Sequence, residues 1–194
     1  MADSSPCNIR PLHCKWEIST LGSPRIGKFA LPLQVAAVCY RVRENAVEFL
    51  LVNTNGGNKR TFPKGAPESR LSHSQAAERE ALEEAGATGV IEPRHFHLYL
   101  HSKGVFWQPG GVQEFVVKAF LLEVRRVEEP HEKDRNPTWF SAEEACRILA
   151  KGREVKYATE LKAVVDRALE RIQAQHDRLA RAEARPSRAA LSAR

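Results

Sequence analysis

One stretch of the chain, GAPESRLSHSQAAEREALEEAGA at residues 65–87, carries signals for both ends of a helix. Ser72 and Gln75 match the S-x-x-Q capping box that begins helices, and Gly86 stands where a left-handed terminating residue belongs. A small apolar face that can lie close to a sheet is formed by Ala77, Ala81, Leu82 and Ala85. We therefore predict a helix over about 73–85.

Three glutamates, Glu80, Glu83 and Glu84, lie close together on this predicted helix. Positions three and four apart are neighbours on a helix surface, and like charges at that distance repel. Arg79 can pair with Glu83 at i,i+4, but one arginine cannot neutralise three carboxylates. Hard divalent cations such as Mg²⁺ choose carboxylate oxygens together with substrate phosphates. The cluster therefore indicates a cation site, and a solvated acidic helix face is the alternative.

The residues around the helix extend this pattern. Gly65 lets the backbone approach a ligand closely, and Lys64 beside it is a compact cation suited to phosphate. The stretch resembles the Nudix box: Gly, five residues, Glu, seven residues, then Arg-Glu-apolar-x-Glu-Glu-x-Gly-apolar. Gly65 matches the first position, and Leu71 replaces the usual first glutamate. The last block is matched by Arg79, Glu80, Ala81, Glu83, Glu84, Gly86 and Ala87.

The resemblance to the Nudix family spans about residues 31–150 and implies an α/β fold, an α/β/α sandwich with a mixed sheet between helices. It also implies Mg²⁺- or Mn²⁺-dependent hydrolysis of a nucleoside diphosphate linked to another group. The metal ligands carried over by position are Glu80 and Glu84, with Glu83 as a further or water-borne ligand and Gly65 through its carbonyl. Arg79 would orient the glutamates.

The catalytic residues implied in this way are Glu80, Glu83, Glu84 and Arg79, and water is the expected nucleophile. The general base is left open between a glutamate of the box and the loop residues Glu129 and Glu132. Leu71 cannot hold a metal-bound water, and loss of such an outer partner typically costs about 10- to 100-fold in metal affinity or activity. We expect a weakened or active enzyme rather than an inactive one.

The segment RTFPKGAPE at residues 60–68 points to a class of substrate. A Phe-Pro-Lys-Gly sequence before the box resembles the branch that cleaves diadenosine polyphosphates and diphosphoinositol polyphosphates. The side chains predicted to receive several phosphates are those of Lys59, Arg60, Lys64 and Arg70. Trp107 is a weaker candidate that could stack on a base.

Two other functions are compatible with these residues. The first is a Nudix-fold module that binds a polyphosphate or an RNA end without cleaving it, which Leu71 and the basic C-terminal residues favour. The second is pyrophosphohydrolysis at RNA 5′ ends, which the net charge of +6 allows and nothing in the box requires. Release of product separates an enzyme from a binding module.

The 194 residues fit one ordinary domain with extensions. We predict an extension at 1–30, a Nudix domain at 31–176 that includes a C-terminal helix, and a basic solvated tail at 177–194. The four cysteines form no CxxC pair, and we find neither a signal peptide nor a stretch of 18 or so apolar residues. A cytoplasmic protein without a membrane partner is therefore expected.

Apolar patterning predicts the remaining elements. Strands are expected over 31–42, 47–54, 95–102 and 112–124, with a turn at Glu44 and Asn45 joining the first two. Ser141 and Glu144 match a second capping box. The helix predicted over 158–175 is amphipathic and either closes the core or pairs with another subunit, so that a dimer is one alternative. A phosphorylated small molecule is the expected partner, and nucleic acid is allowed but not required.

Overall fold

Strands and helices alternate along the part of the chain that the computed structural model describes, residues 31–55, 59–104 and 111–183. In chain order the strands are β1 Leu33–Arg43, β2 Ala46–Asn53, β3 Arg60–Thr61, β4 Lys64–Gly65, β5 Ala87–Ile91, β6 His97–Gly104, β7 Val112–Val127 and β8 Thr138–Ser141. The helices are α1 His73–Ala85, α2 Ala142–Ala150 and α3 Val155–Glu183. A 3-10 turn spans Lys133–Arg135. This order is expected of a layered α/β domain.

The strands form a mixed sheet in which β1 and β7 lie parallel at the centre. Its main order is β3-β2-β1-β7-β5, and β4, β6 and β8 pair antiparallel with β1, β7 and β2. All residues of β1 from Val35 to Tyr40 are buried, so this strand is covered on both faces. Val35 pairs with Gly65, so the central strand fixes the position of the residues just before α1.

The two faces of the sheet are covered by different helices. On one face α2 and α3 enclose a core that contains Phe49, Phe62 and Tyr99. On the other face α1 packs through alanines that are at most 1% exposed, Ala76, Ala77, Ala81 and Ala85. The predicted α/β/α sandwich is confirmed. Since these side chains are small, α1 lies close to the strands, and its acidic face begins at the edge of the sheet.

The signals at both ends of α1 act as predicted. The Ser72 side chain accepts a hydrogen bond from the Gln75 backbone, and the Gln75 side chain accepts one from the Ser72 backbone. Gly86 adopts a φ of 62° and ends the helix. The second capping box, at Ser141 and Glu144, is also present at the start of α2.

Other local predictions are partly confirmed. Glu44 and Asn45 form the two-residue turn between β1 and β2, both with positive φ. The four predicted strands correspond to β1, β2, β6 and β7, and the short strands β3, β4, β5 and β8 were not among them. Of these, β5 and β8 are defined by pairing with strands distant in sequence, β7 and β2 respectively. A strand that depends on such distant pairing shows little alternation of apolar and polar residues in its own sequence.

Helix α3 is longer than the predicted 158–175, since it begins at Val155 and continues to Glu183, into the segment expected to be a tail. Its apolar side closes the core through Leu161, Val164, Val165, Ala168 and Ile172. Pairing with another subunit stays a prediction. The predicted extension at 1–30, Trp107 and residues 184–194 lie outside the described residues. No helix in the described parts of the chain is long and apolar enough to cross a bilayer.

Candidate active site

Glu84 is the most enclosed of the three clustered glutamates, with only 3% of its surface exposed. Its position follows from α1, which lies on the sheet and directs this side chain toward β4. The Lys64 backbone N–H donates a hydrogen bond to Oε2 of Glu84 over 3.2 Å. Nη2 of Arg135 lies 2.6 Å from Oε1 of the same carboxylate. Both oxygens of Glu84 therefore contact a donor from another element.

Glu80, one turn earlier on α1, lies against Gly65. A Cβ added to Gly65 would be 1.9 Å from Oε1 of Glu80, so the glycine provides the space that this carboxylate occupies. Glu80 has no hydrogen bond or ion pair with any residue that the structure describes. Among the three clustered glutamates, Glu80 is therefore the one whose oxygens have no hydrogen-bond or ion-pair partner in the described chain.

Arg79 holds the third glutamate. Its Nε lies 2.8 Å from Oε1 of Glu83, which is the predicted i,i+4 pair, and its Nη1 lies 2.7 Å from Oε2 of Glu68. Glu68 precedes the helix, so Arg79 joins this loop to α1. The side chain of Leu71, at the position where the Nudix box usually has glutamate, packs against the core beneath α1. That position therefore supports packing rather than polar contacts.

Arg135 is a site residue that sequence reasoning missed. It is 9% exposed and contacts Glu84, Oε2 of Glu132 at 2.6 Å, and the backbone carbonyl of Asn53 at 3.1 Å. These partners come from three separate elements, and Asn53 is 82 positions away in the chain. Nothing local distinguishes Arg135 from its charged neighbours. The one sequence signal for Arg135 was its position three residues after Glu132, a candidate base.

The two loop glutamates proposed as bases differ in position. The Glu132 backbone N–H donates to the carbonyl of Glu83 over 3.0 Å, and its carboxylate is near enough to Glu80 to raise that group's pKa. Glu129 is exposed, and no contact joins its carboxylate to the cluster. The geometry thus brings Glu132, and not Glu129, to the site. The identity of the base stays a prediction.

Burial and mutual repulsion perturb the acidic cluster. Burial raises the pKa of Glu84, while Arg135 and Lys64 act in the opposite direction. Burial also raises the pKa of Glu80, and the negative charges of Glu83 and Glu132 add to the increase. Desolvation and crowding of carboxylates both favour their neutral form, unless a cation is bound. A bound cation would therefore stabilise the ionised form of the acidic cluster.

The donor set fits a hard divalent cation. In the described residues no three His, Cys, Asp or Glu side chains are arranged as ligands of one metal. Arginines hold Glu83 and Glu84, which accounts for the separation of these carboxylates. Gly65, however, leaves room for the carboxylate of Glu80, and the oxygen ligands are those that Mg²⁺ and Mn²⁺ prefer. The residues that would hold the ion are Glu80, Glu84, Glu83 and, through its carbonyl, Gly65.

A cavity of about 370 Å³ lies beside Glu84. Its lining includes Glu84 and Glu154 as acidic residues, together with five basic residues, Lys59, Lys64, Lys103, Arg135 and Arg153. The buried Oε1 of Gln34, also in the lining, has no hydrogen-bond partner in the described residues. His101 is in the lining too, and burial lowers its pKa to about 3. The cavity wall is therefore mainly cationic and polar.

The residues predicted to bind phosphates divide into two groups. Lys59 and Lys64 line the cavity. Arg60 does not, because its Nη1 donates to the carbonyl of Asn136 and its guanidinium lies 5.8 Å from the Phe140 ring centroid. Arg70 is exposed and also outside the lining. A role for these two arginines in binding stays a prediction.

Lys103 and Arg153 also line the cavity, and no sequence pattern indicated either residue. Arg153 follows α2, and its guanidinium donates to the carbonyl of Arg60 over 2.6 Å, a contact between residues 93 positions apart. Lys103 lies near the end of β6. Only the folded sheet brings these two segments to Lys64, so local patterns carry no trace of these two cations.

Comparison with known proteins identifies the same stretch. The NUDIX domain family matches residues 32–161. Nudix hydrolase 18, mitochondrial, from Arabidopsis thaliana is 34% identical over 105 residues, which cover 52% of this chain and 56% of that protein. Nudix hydrolase 4 from the same plant is 31% identical over 107 residues, covering 55% and 50%. The chain spans about half the length of the curated relatives it matches.

Two solved structures share the fold. The C. elegans Ap4A hydrolase superposes with a TM-score of 0.52 at 21% identity, covering 73% of this chain and 98% of that one. The NUDIX domain of Shewanella oneidensis NrtR, complexed with ADP ribose, gives a TM-score of 0.52 at 16% identity, covering 74% and 89%. The family match covers more than half of the chain and includes the box, the sheet and the start of α3. The chain therefore belongs to the Nudix family.

Proposed function

We propose that this protein hydrolyses a pyrophosphate bond in a highly phosphorylated small molecule, with Mg²⁺ or Mn²⁺ as cofactor. The observation that carries the proposal is the position of Glu84, which joins the acidic cluster of α1 to the cationic cavity. A phosphorylated substrate in that cavity would meet positive charge along its chain and carboxylates at one end. The Nudix hydrolases of similar sequence support the same reaction class.

The cavity wall favours a polyanion. Five basic residues in the lining outnumber two acidic ones. In a partly enclosed site such charges are weakly screened, so they attract several phosphates more strongly than the same charges on an open surface would. Lys64 joins the two parts of the site, because its backbone N–H donates to Glu84 and the residue also lines the cavity. A polyphosphate chain uses these charges better than a single phosphate does.

The acidic cluster supplies the other half of the site. A bound divalent cation neutralises charge on the phosphoryl oxygens and lowers the pKa of a water molecule. Glu80 and Glu84 would hold such an ion, and Arg79 keeps Glu83 beside them. Glu132, close to Glu80, is positioned to accept a proton from water. No covalent intermediate is required.

Diadenosine polyphosphates and diphosphoinositol polyphosphates are the substrate classes that we propose. The Phe-Pro-Lys-Gly segment before the box supports these substrate classes, although its Phe62 is fully buried and packs in the core. Lys64 is therefore the part of this segment that can contact substrate. The Ap4A hydrolase from C. elegans shares the fold, and the cavity charge suits both classes. A cytoplasmic location is also proposed, while several relatives are named as mitochondrial proteins.

A binding module without turnover is the second candidate, and one observation favours it. Glu83 and Glu84 each contact an arginine, and Leu71 removes a further carboxylate from the site. If Arg135 stays paired with Glu84 when a polyphosphate binds in the cavity, the divalent cation that hydrolysis needs is absent. The polyphosphate is then bound but not cleaved. Binding and cleavage must therefore be measured separately.

The test is a screen for product release with Mg²⁺ and with Mn²⁺. Substrates are dinucleoside polyphosphates, diphosphoinositol polyphosphates, ADP-ribose and triphosphorylated or capped RNA, with products identified by mass spectrometry. We expect cleavage of the first two classes, abolished by chelator. Retention of these compounds without product would support the binding module, and RNA as the preferred substrate would overturn the small-molecule assignment.

Variants of two arginines locate the substrate within the screen. Arg153→Gln removes a cation from the cavity, so we expect KM to rise about tenfold with a smaller change in kcat, the loss expected for one charged hydrogen bond. Arg147→Gln is the matched control, since Arg147 is exposed on α2 and lies outside the lining. Equal KM values in both variants would place the substrate elsewhere.

A further inference from the structure

Arg135 connects two carboxylates that come from different parts of the fold. Its Nη2 contacts Oε1 of Glu84 on α1, and its Nε contacts Oε2 of Glu132 in the segment between β7 and β8, each at 2.6 Å. A third contact, from Nη1 to the carbonyl of Asn53, fixes the guanidinium to the end of β2. The arginine is thus held on three sides.

Both oxygens of Glu84 are engaged in this arrangement, one by Arg135 and the other by the Lys64 backbone. Glu84 is 3% exposed and Arg135 is 9% exposed, so water reaches neither side chain freely. A buried charge needs a counter-charge, because an unpaired one is strongly destabilising. Arg135 supplies that counter-charge. A divalent cation that binds Glu84 needs the oxygen that Arg135 now contacts.

The segment that carries Arg135 is attached to the end of α1. The backbone N–H of Glu132 donates to the carbonyl of Glu83, and that of Glu128 donates to the carbonyl of Gly86 over 2.9 Å. A change in the Arg135 contact therefore acts directly on the position of Glu132. The carboxylate of Glu132 is near enough to Glu80 to raise that group's pKa.

We propose that Arg135 is the resident counter-ion of Glu84, that a divalent cation must displace it, and that metal binding thereby repositions the segment 128–135. This inference rests on the proposed function, because it takes the acidic cluster as a metal site. Arg135 is a positioning residue in this scheme. It occupies one oxygen of Glu84 before the metal arrives and lowers the affinity for metal through competition.

The first test measures the affinity for Mn²⁺ alone, by the electron paramagnetic resonance signal of the free ion. Arg135→Gln removes the competitor, so we expect its Kd for Mn²⁺ to fall about 10- to 100-fold, the worth of one charge-assisted hydrogen bond. Arg153→Gln is the matched control, because it removes a cation from the same cavity that does not contact Glu84. Its Kd should change far less.

The direction of the change in Mn²⁺ affinity distinguishes the proposed counter-ion role of Arg135 from a purely structural role. If Arg135 were only structural, its loss would loosen the site, and Mn²⁺ affinity would fall or stay constant. That result overturns the inference and leaves the proposed function standing, provided that the wild-type protein binds Mn²⁺. If the wild-type protein binds neither Mn²⁺ nor Mg²⁺, both the inference and the proposed function are wrong.

A second test uses the wild-type protein, in case Arg135→Gln does not fold. The Nε–H signal of Arg135 is followed by NMR during a Mg²⁺ titration, and the signal of Arg41 serves as control. Arg41 makes an equally short contact with Glu48, at 2.6 Å, and belongs to β1 rather than to the site. We expect Mg²⁺ to shift only the Arg135 signal. An Arg135 signal that does not respond to saturating Mg²⁺ contradicts displacement.

Discussion

Gly65 is the residue whose lack of a side chain matters most for the proposed metal site. Its added Cβ would meet the carboxylate of Glu80, the flexible end of a side chain, rather than backbone. We therefore expect Gly65→Ala to displace Glu80 and weaken Mn²⁺ binding about 10- to 100-fold, while the free energy of unfolding changes by less than about 1 kcal/mol.

Gly104→Ala is the control for this substitution. Gly104 also borders the cavity, but its added Cβ would have only ordinary contact, 3.8 Å from the carbonyl of Gly111. Calorimetric titration with Mn²⁺ and urea unfolding are measured for both variants. Equal Mn²⁺ affinities for Gly65→Ala and Gly104→Ala would show that Glu80 is not held against Gly65.

His101 gives the protein a pH-dependent stability. Burial and the cations Lys64 and Arg153 lower its pKa from 6.5 to about 3 in the folded state. The unfolded state therefore binds a proton below pH 6.5 that the folded state does not bind until about pH 3. This contribution to stability is present above pH 6.5 and is lost progressively as the pH falls. At pH 5 the loss amounts to about 1–2 kcal/mol, allowing for partial exposure.

Urea unfolding at pH 7.5 and pH 5 tests this dependence. His101→Gln cannot take up the proton, so its stability should decrease less between the two pH values than that of the wild-type protein. His176→Gln, on an exposed position of α3, is the control and should behave like the wild type. An identical decrease in all three proteins would contradict burial of a neutral His101.

At the scale of elements, the end of α1 and the segment after β7 approach each other closely at Gly86. Its φ is 62°, and an added Cβ would lie 2.1 Å from the carbonyl oxygen of Glu128. Gly152 also has a positive φ, of 68°, but its Cβ would meet only the flexible end of Lys59 at 3.4 Å. The two glycines share a left-handed backbone conformation and differ in the backbone contact that a Cβ would make.

We expect Gly152→Ala to cost about 1–2 kcal/mol, the penalty for a left-handed residue with a side chain. Gly86→Ala should cost clearly more, because the segment at Glu128 must also move away from α1. Urea unfolding of both variants gives the difference directly. A cost for Gly86→Ala no greater than for Gly152→Ala would mean that this segment is not docked on the helix.

At the scale of the whole molecule, the features predicted correctly from the sequence are those that depend on residues close together in the chain. The bounds of α1 follow from Ser72, Gln75 and Gly86, which act within one turn of the helix ends. The layered α/β fold and the family follow from the strands and the box. By contrast, Arg135 and Arg153 reach the site through contacts between residues 82 and 93 positions apart. Such contacts depend on the assembled sheet and leave no local pattern.

The same distinction explains the partial success with the cations. Lys59 and Lys64 were selected because they adjoin the box, and both line the cavity. Arg60 was selected for the same reason, but its guanidinium turns to the carbonyl of Asn136 and the ring of Phe140. Proximity in sequence identified the segment, whereas the contacts of each side chain depend on the folded structure.

The most direct test of the proposed function is the Mg²⁺-dependent turnover of the substrate found in the screen, compared between Glu80→Gln and Glu78→Gln. Both residues are glutamates of α1, and only Glu80 lies against Gly65 in the box. We predict that Glu80→Gln loses at least about 100-fold in kcat, because a direct metal ligand should matter more than an outer partner, and that Glu78→Gln retains wild-type turnover. Wild-type turnover by Glu80→Gln, or turnover that persists in chelator, would contradict a metal-dependent hydrolase built on this helix.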